Sequence, residues 1–366
     1  MKERFLVLDS FRGLCALSVV FFHTRLVGSF TELDFFRGSA IFVEFFFVLS
    51  GFVLAHGYGF KPEIKFAHFM RARFFRIYPL HLFMLIVFII IEVGKLLAYN
   101  FGGFIFTNMP FTNAASIEEL VPNLLLLQSW IWSANHLSFN YPSWSISIEF
   151  YLYVFLFLSV SIFKFKRVYS WFFIFLLSLL CINLDVKILT PQAFSGLFCF
   201  FGGAFTYFVY KKTLNHKPSY LLGSIMELSL LACVFFITQS KIDNRETLAP
   251  LLFLFTVLLF SFESGFFSRI LKANFFQFIG KLSYSIYMTH AALLFCFISV
   301  AMVAQKLTGE KLAPMIDNVR FLTFGSGFIN NIISIIILAM VVTVSIFTYK
   351  YIEVPGQLFN NKKSNR

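Results

Sequence analysis

The sequence predicts an all-α integral membrane protein, a bundle of about ten spanning helices. Three observations predict it. The 366 residues are 58% hydrophobic and 20% aromatic, with only 13% charged, which is more apolar surface than a soluble domain can cover. About ten runs reach the roughly 20 mainly apolar residues that cross hydrocarbon. Basic residues fall in alternate loops, twenty-one of the thirty on one side, as the positive-inside bias requires. Phe occurs 56 times, so isolated aromatic stripes read as lipid-facing or core packing.

The spans are expected at 8–27, 39–57, 79–98, 147–163, 168–183, 191–210, 219–238, 248–263, 283–304 and 327–349. The first contains LDSFRGLCALSVVFFHT. It has no small-residue cleavage site and reads as an uncleaved signal anchor. The second, IFVEFFFVLSGFVLAHG, is almost continuously apolar. Pro79 is expected to open the third, because its missing N–H suits a first helical turn. The segment 116–132 is apolar but short, and Pro122 interrupts it, so it is expected to be interfacial or re-entrant. The fifth and eighth spans are short. The ninth begins after Lys281, and the last gives way to a short solvated tail, 355–366. With no soluble domain appended, residues 1–366 read as one transmembrane domain.

One set of loops holds Lys2, Arg4, Lys61, Lys65, Arg71, Arg73, Arg76, Lys164, Lys166 and Arg167. It continues with Lys211, Lys212, Lys217, Arg269, Lys272, Lys281, Lys350, Lys362, Lys363 and Arg366, and Arg12 stands at its border. The opposite loops, including a long one at about 99–146, keep Arg25, Arg37, Lys95, Lys187, Lys241, Arg245, Lys306, Lys311 and Arg320. Both termini are therefore expected in the cytoplasm, with the chain in the plasma membrane. The net charge of +12 is this topogenic signal and calls for no nucleic-acid partner. Cys15, Cys181, Cys199, Cys233 and Cys296 all fall in apolar runs without metal or redox spacing. They are expected as buried free thiols, with no metal site.

Arg12 and His23 are the most informative pair. Charged and imidazole side chains are costly in a membrane helix and mark function there by default. Their eleven-residue spacing leaves them within about 20° on one helix face and about 16 Å apart along the axis. That suits a long ligand whose anionic end meets Arg12 while its reactive end reaches His23. Glu44 enters the second span from the opposite side, at nearly the depth of His23. It either fixes the imidazole as a base or serves as an intramembrane ion pair. Ser50-Gly51 permits close approach of a ligand or of a neighbouring helix.

Arg73 and Arg76 share a helix face at i,i+3. They are either a phosphate clamp or ordinary cytoplasmic charge. In NYPSWSISIEF, Trp144 reads as an interfacial anchor, while Ser147 and Glu149 enter the membrane. Glu149 is suited to orient an acceptor hydroxyl or to pair with an arginine. In KLSYSIYMTHAALLF, Tyr284 and His290 complete the candidate set. His290 is expected about two turns in from the cytoplasmic face, and a satisfied core position is its plainer reading.

Together these residues resemble the membrane acyltransferase-3 family, whose members O-acylate surface polysaccharides, peptidoglycan, Nod factors and some small molecules. The resemblance rests on Arg12-x10-His23, on Phe46-Phe47-Val48-Leu49-Ser50-Gly51, and on Arg73-x2-Arg76 followed by Tyr78-Pro79. It continues through Trp144-Ser145-Ile146-Ser147-Ile148-Glu149 and Gly280-Lys281-Leu282-Ser283-Tyr284-Ser285-Ile286-Tyr287 with His290. Glu44 stands where the family often has Asp, and the extracytoplasmic hydrolase-like domain of some members is missing.

The resemblance implies transfer of an acyl group, of acetyl size, from cytoplasmic acyl-CoA to a hydroxyl of an extracytoplasmic glycan or lipid-linked saccharide. Arg73 and Arg76 would hold the CoA phosphates, with Arg12 nearer the pantetheine entrance. Ser50 and Gly51 would line the arm's path, and His23, oriented by Glu44, would be the base. Acetyl-CoA enters as donor substrate, with no resident cofactor. A transporter or channel is the rival reading, since intramembrane His, Glu and Arg also mark substrate and proton pathways. The paired Gly/Pro-broken helices that would favour it are missing. A noncatalytic scaffold would leave Arg12, His23 and Glu44 unexplained.

Overall fold

The computed structural model describes residues 4–364 except 62, 105, 107 and 318, with side chains as far as residue 359. Lys2 and Arg366, counted for topology, lie outside the described residues, as do the side chains of Lys362 and Lys363. The described chain is almost wholly helical. Its first helices are α1 Leu6–His23, α2 Asp34–Gly38, α3 Phe42–Leu54, α4 Phe66–Gly102 and α5 Leu120–Leu124. Next come α6 Ser143–Phe163, α7 Arg167–Asn183, α8 Pro191–Thr213, α9 Tyr220–Gln239 and α10 Arg245–Ser261. The last are α11 Phe266–Leu271, α12 Asn274–Thr308, α13 Gly327–Thr348 and α14 Val354–Ser364. A two-stranded antiparallel ribbon pairs Met315 with Arg320 and Ile316 with Val319.

Among the described residues, eight helical segments are long and apolar enough to cross a membrane. The all-α, membrane-spanning class read from composition is the observed one, and two features separate eight from the ten expected spans. Segment Ser143–Asn183 holds both α6 and α7. The chain folds back at Lys164–Lys166, where Lys164 takes a φ of 43°, and Trp171 Nε1 then donates to Ser159 Oγ at 2.9 Å. The eighth expected span is α10, whose 17 residues leave it out of the eight.

The chain divides into two compact units, one made of residues up to Gly57 with Gly202–Ile346, the other of Tyr58–Phe201 with residues from Phe347 onward. In the first unit α1 is the centre. Phe11 packs edge-on against Phe45 at 5.7 Å and Phe260 at 4.8 Å, tying α1 to α3 and α10. Its closest partner is α12. A Cβ added at Gly13 would stand 2.7 Å from the Gly280 nitrogen, and one at Gly280 2.3 Å from the Asp9 carbonyl oxygen. Small residues let membrane helices approach this closely. At the N-terminal end Val7 N–H donates to Glu263 Oε1, and Gln277 Nε2 donates to Leu6 O and Ser10 Oγ, each at 2.7 Å.

In the second unit, α4 runs from Phe66 straight through Pro79, which the sequence had opening the helix. Proline costs a hydrogen bond and crowds the carbonyl four residues back, but membrane helices tolerate it where a neighbour covers the gap. Here that neighbour is α14: Gly356 lies against Pro79 Cγ and Phe75 O, and Phe359 against Phe75 at 5.4 Å. The segment expected as tail thus begins as a helix packed on α4. Segment 116–132 forms only short turns and α5, and it wraps the start of α6: Ser129 Oγ donates to Trp144 O and Trp130 Nε1 to Ser147 O. None of the five cysteines forms a disulfide, but burial differs from expectation. Cys15 and Cys199 are buried, Cys181 is intermediate, and Cys233 and Cys296 are exposed on outward faces of α9 and α12.

Candidate active site

The first unit carries His23 and His290. Helix α1 ends on His23 because Thr24 turns extended, donating its N–H to Val20 O and Phe21 O and its hydroxyl to Val20 O at 2.7 Å. The chain beyond is pinned as well. Leu26 bridges to Leu322, with Val27 N–H donating to Leu322 O and Leu322 N–H to Arg25 O. Asn330 Nδ2 donates to Val27 O at 2.8 Å. The backbone that carries the His23 imidazole is thereby tied on both sides of the helix end.

The His23 ring stacks on His290, with centroids 5.2 Å apart and planes 30° from parallel. His290 is fully buried, and its Nδ1 lies 2.7 Å from Tyr287 O. A carbonyl only accepts, so Nδ1 carries the proton and Nε2 is left as the acceptor nitrogen. Tyr287 also packs against Phe46 of α3 at 5.9 Å, and Tyr284 is buried one turn earlier.

The depth expected for His290 is therefore corrected. Helix α12 starts at Asn274, nine residues before the expected span. Gly280 lies level with Gly13, and ten residues further along both helices bring His290 to His23. The two helices run parallel.

Arg12 is half-buried and forms no ion pair among the described residues. Asp9, one turn earlier, is taken by Arg4 at 2.5 Å. Ser50 and Gly51 sit on α3, half-buried and buried. No hydrogen bond joins Glu44 to His23 among the described residues. The carboxylate's Oε2 is buried without a hydrogen-bond partner. The cause is the direction of α3, which faces α10 through Phe42 and Phe45 on Phe253.

In the second unit the paired arginines differ. The Arg73 guanidinium lies over the Tyr58 ring at 5.6 Å and the Tyr153 ring at 6.0 Å, with Nε buried and unbonded. Arg76 instead meets the buried carboxylate of Glu353, Nη1 to Oε1 3.6 Å. On α6, Tyr153 donates to Glu149 Oε1 at 2.6 Å. Trp144 is partly exposed at the start of that helix. Ser147 is fully buried and spent on the neighbouring segment, donating to Leu126 O at 2.6 Å and accepting from Ser129 N–H. It fastens the 126–129 segment to α6.

Sequence reasoning missed three residues here. Tyr153 was findable, since it follows Glu149 at i+4 on one helix face. Glu353, a lone acid beside a basic border, gave a weak signal. Arg37 gave none: it was one of the outer-loop cations, yet its guanidinium reaches the end of α1, donating from Nη2 to Phe21 O at 2.5 Å.

Residues 5–350 match the family model described as an acyltransferase domain. Protein 2 in picA locus of Rhizobium radiobacter is 41% identical over 90 residues, 23% of this chain and 43% of that protein. Acyltransferase MdmB of Streptomyces mycarofaciens is 39% identical over 114 residues, 30% of this chain and 25% of that protein. The matched stretches thus span less than half of either relative. No solved structure matches the chain. The Arg12–His23 helix, the Phe-Phe-Ser-Gly stretch, the arginine pair and the serine–tyrosine helix bearing His290 all lie inside the matched range. With nearly its whole length matched, the chain belongs to the acyltransferase-3 family.

Proposed function

We propose that the protein moves an acetyl-sized acyl group from cytoplasmic acyl-CoA to a hydroxyl of a glycan or lipid-linked saccharide outside the membrane. The observation that carries this reading is the imidazole pair: His23 held at the end of α1 and stacked on His290. His23 takes the proton of the acceptor hydroxyl as its oxygen attacks the thioester carbonyl. The C–S bond breaks, the acyl group stays on the acceptor oxygen, and CoA leaves as thiolate to be protonated. No cysteine lies against His23 among the described contacts, so transfer within one ternary complex is the simplest scheme. The guanidinium of Arg12, which forms no ion pair among the described residues, meets the donor's anionic portion.

The arginine pair supplies one test. Arg73 lies over two tyrosine rings with its Nε unbonded, whereas the Arg76 charge is partly met by the Glu353 carboxylate. Losing a charged hydrogen bond costs about 1.5–3 kcal/mol. Arg73→Ala is therefore expected to weaken acyl-CoA binding by roughly 10- to 100-fold, and Arg76→Ala by less. Calorimetry on the purified variants measures both, and an Arg73→Ala protein with unchanged affinity would leave that arginine a topogenic charge only.

Sidedness supplies the other. CoA is a polyanion that cannot cross hydrocarbon, but its thioester sits at the tip of a long flexible arm. The excess of basic residues in one set of loops supports cytoplasmic termini. In proteoliposomes with the cytoplasmic face inward, radiolabelled acetyl-CoA sealed in the lumen should acylate a lipid-linked saccharide supplied only outside, with free CoA remaining in the lumen. Label appearing only on acceptors sealed in with the donor would sink the two-sided scheme.

A further inference from the structure

We propose that Arg37 is a positioning residue for His23, capping the carbonyl end of α1 and so holding the imidazole against His290; this rests on the acyl-transfer reading above. The last carbonyls of any helix lack partners inside the helix, and at membrane depth an unsatisfied carbonyl is costly. Helix α1 ends inside the protein, with Val20 and Thr24 buried. Thr24 satisfies Val20 O with its N–H and hydroxyl. Arg37 completes the end: Nη2 donates to Phe21 O at 2.5 Å and Thr24 O at 3.3 Å. A cation at this end also opposes the negative pole of the helix dipole.

The same guanidinium ties down the turn that follows. Nε donates to Thr31 O at 2.7 Å, and Nη1 stands 3.8 Å from Glu32, which also pairs with Arg25 at 3.4 Å. Its plane covers the Phe22 ring, next to His23, at 5.6 Å. The backbone behind it has no slack, since a Cβ on Gly38 would stand 1.7 Å from Thr238 O of α9. With Nε and Nη2 spent on main-chain carbonyls, Arg37 holds protein rather than a ligand anion. A lysine cannot reproduce this, because a point charge does not bridge Thr31 O and Phe21 O as a planar fork does.

The test uses Arg37→Ala and Arg37→Lys in the full-length protein in nanodiscs, with and without added guanidinium. Amide exchange of residues 20–26 is followed by mass spectrometry beside acetyl-CoA kinetics. In Arg37→Ala the helix end should lose protection and kcat should fall about 10- to 100-fold, with KM for acetyl-CoA within about twofold and both losses partly reversed by guanidinium. Should Arg37→Ala fail to insert, Arg37→Lys decides, with a smaller fall in kcat and the same unchanged KM. A wild-type kcat in either variant overturns the proposal, as does a fall in kcat with unaltered exchange, or a rise confined to KM. If the wild type itself transfers no acetyl group, the acyl-transfer reading fails, and exchange alone still shows whether Arg37 holds the end of α1.

Discussion

His23→Ala is expected to lower acyl transfer by about 10²–10⁴-fold, the usual worth of a general base, while the protein still inserts and folds. The structure separates these two effects. The end of α1 is secured by Thr24, Arg37 and the bridge to Leu322, none of which uses the imidazole. Alanine is the best helix former, so the backbone should stay in place and only the ring is lost.

The stacked partner sharpens the test. His290 is locked by Tyr287 O and buried in α12, so His290→Ala should disturb the seat of His23 without removing the base. If His23 is the base, its loss costs more than the loss of His290. The reverse order in two well-expressed variants, measured as single-turnover rates with saturating acetyl-CoA, would transfer the role to His290. Glu44→Gln should cost little, because the Glu44 carboxylate makes no hydrogen bond to the imidazole.

The features that were legible in the sequence are those that depend on periodicity within one segment. Arg12 and His23 were placed on one face of one helix by arithmetic, and α1 is that helix. The spans follow from apolar runs, and the turn between α6 and α7 from its basic residues. What failed needed information from another helix. The first turns of α12, NFFQFIGKL, look too polar to lie in a span. Yet Gln277 finds Leu6 O and Ser10 Oγ on α1, and Gly280 finds the backbone of Asp9. Once those turns belong to the helix, His290, expected two turns into its span, comes level with His23.

Glu44 illustrates a second limit. Its position on the second span was legible, but the direction of its carboxylate is set by how α3 meets α10, and no pattern within the span reports that. Arg73 and Arg76 are a third case. They look equivalent in RARFFR, yet Arg76 meets Glu353, almost three hundred residues away, while Arg73 lies over Tyr58 and Tyr153. Intramembrane polar residues thus announce themselves singly in a sequence, while their pairing is a property of packing.

The close approach of α1 and α12 leads to the last expectation, that Gly280→Ala disables the site from a distance. An added Cβ would stand 2.3 Å from Asp9 O and 2.8 Å from Asp9 C. Ordinary contacts between carbon atoms lie near 3.5–4.0 Å, so the helices must part by roughly 1 Å. No rotamer change relieves this, because both atoms met belong to the backbone of α1. Overpacking of this kind costs about 1–3 kcal/mol in stability.

Catalysis should suffer more than stability. The shift is carried along two parallel helices to the imidazoles ten residues beyond, where a displacement of about 1 Å is worth about 10²-fold in rate. Gly280→Ala should therefore insert, melt a few degrees lower and bind acyl-CoA almost normally, yet turn over about a hundredfold more slowly. Gly280→Val should do the same more severely. A stable Gly280→Ala protein with wild-type turnover would mean that the stacking of His23 on His290, however well built, contributes nothing to the reaction.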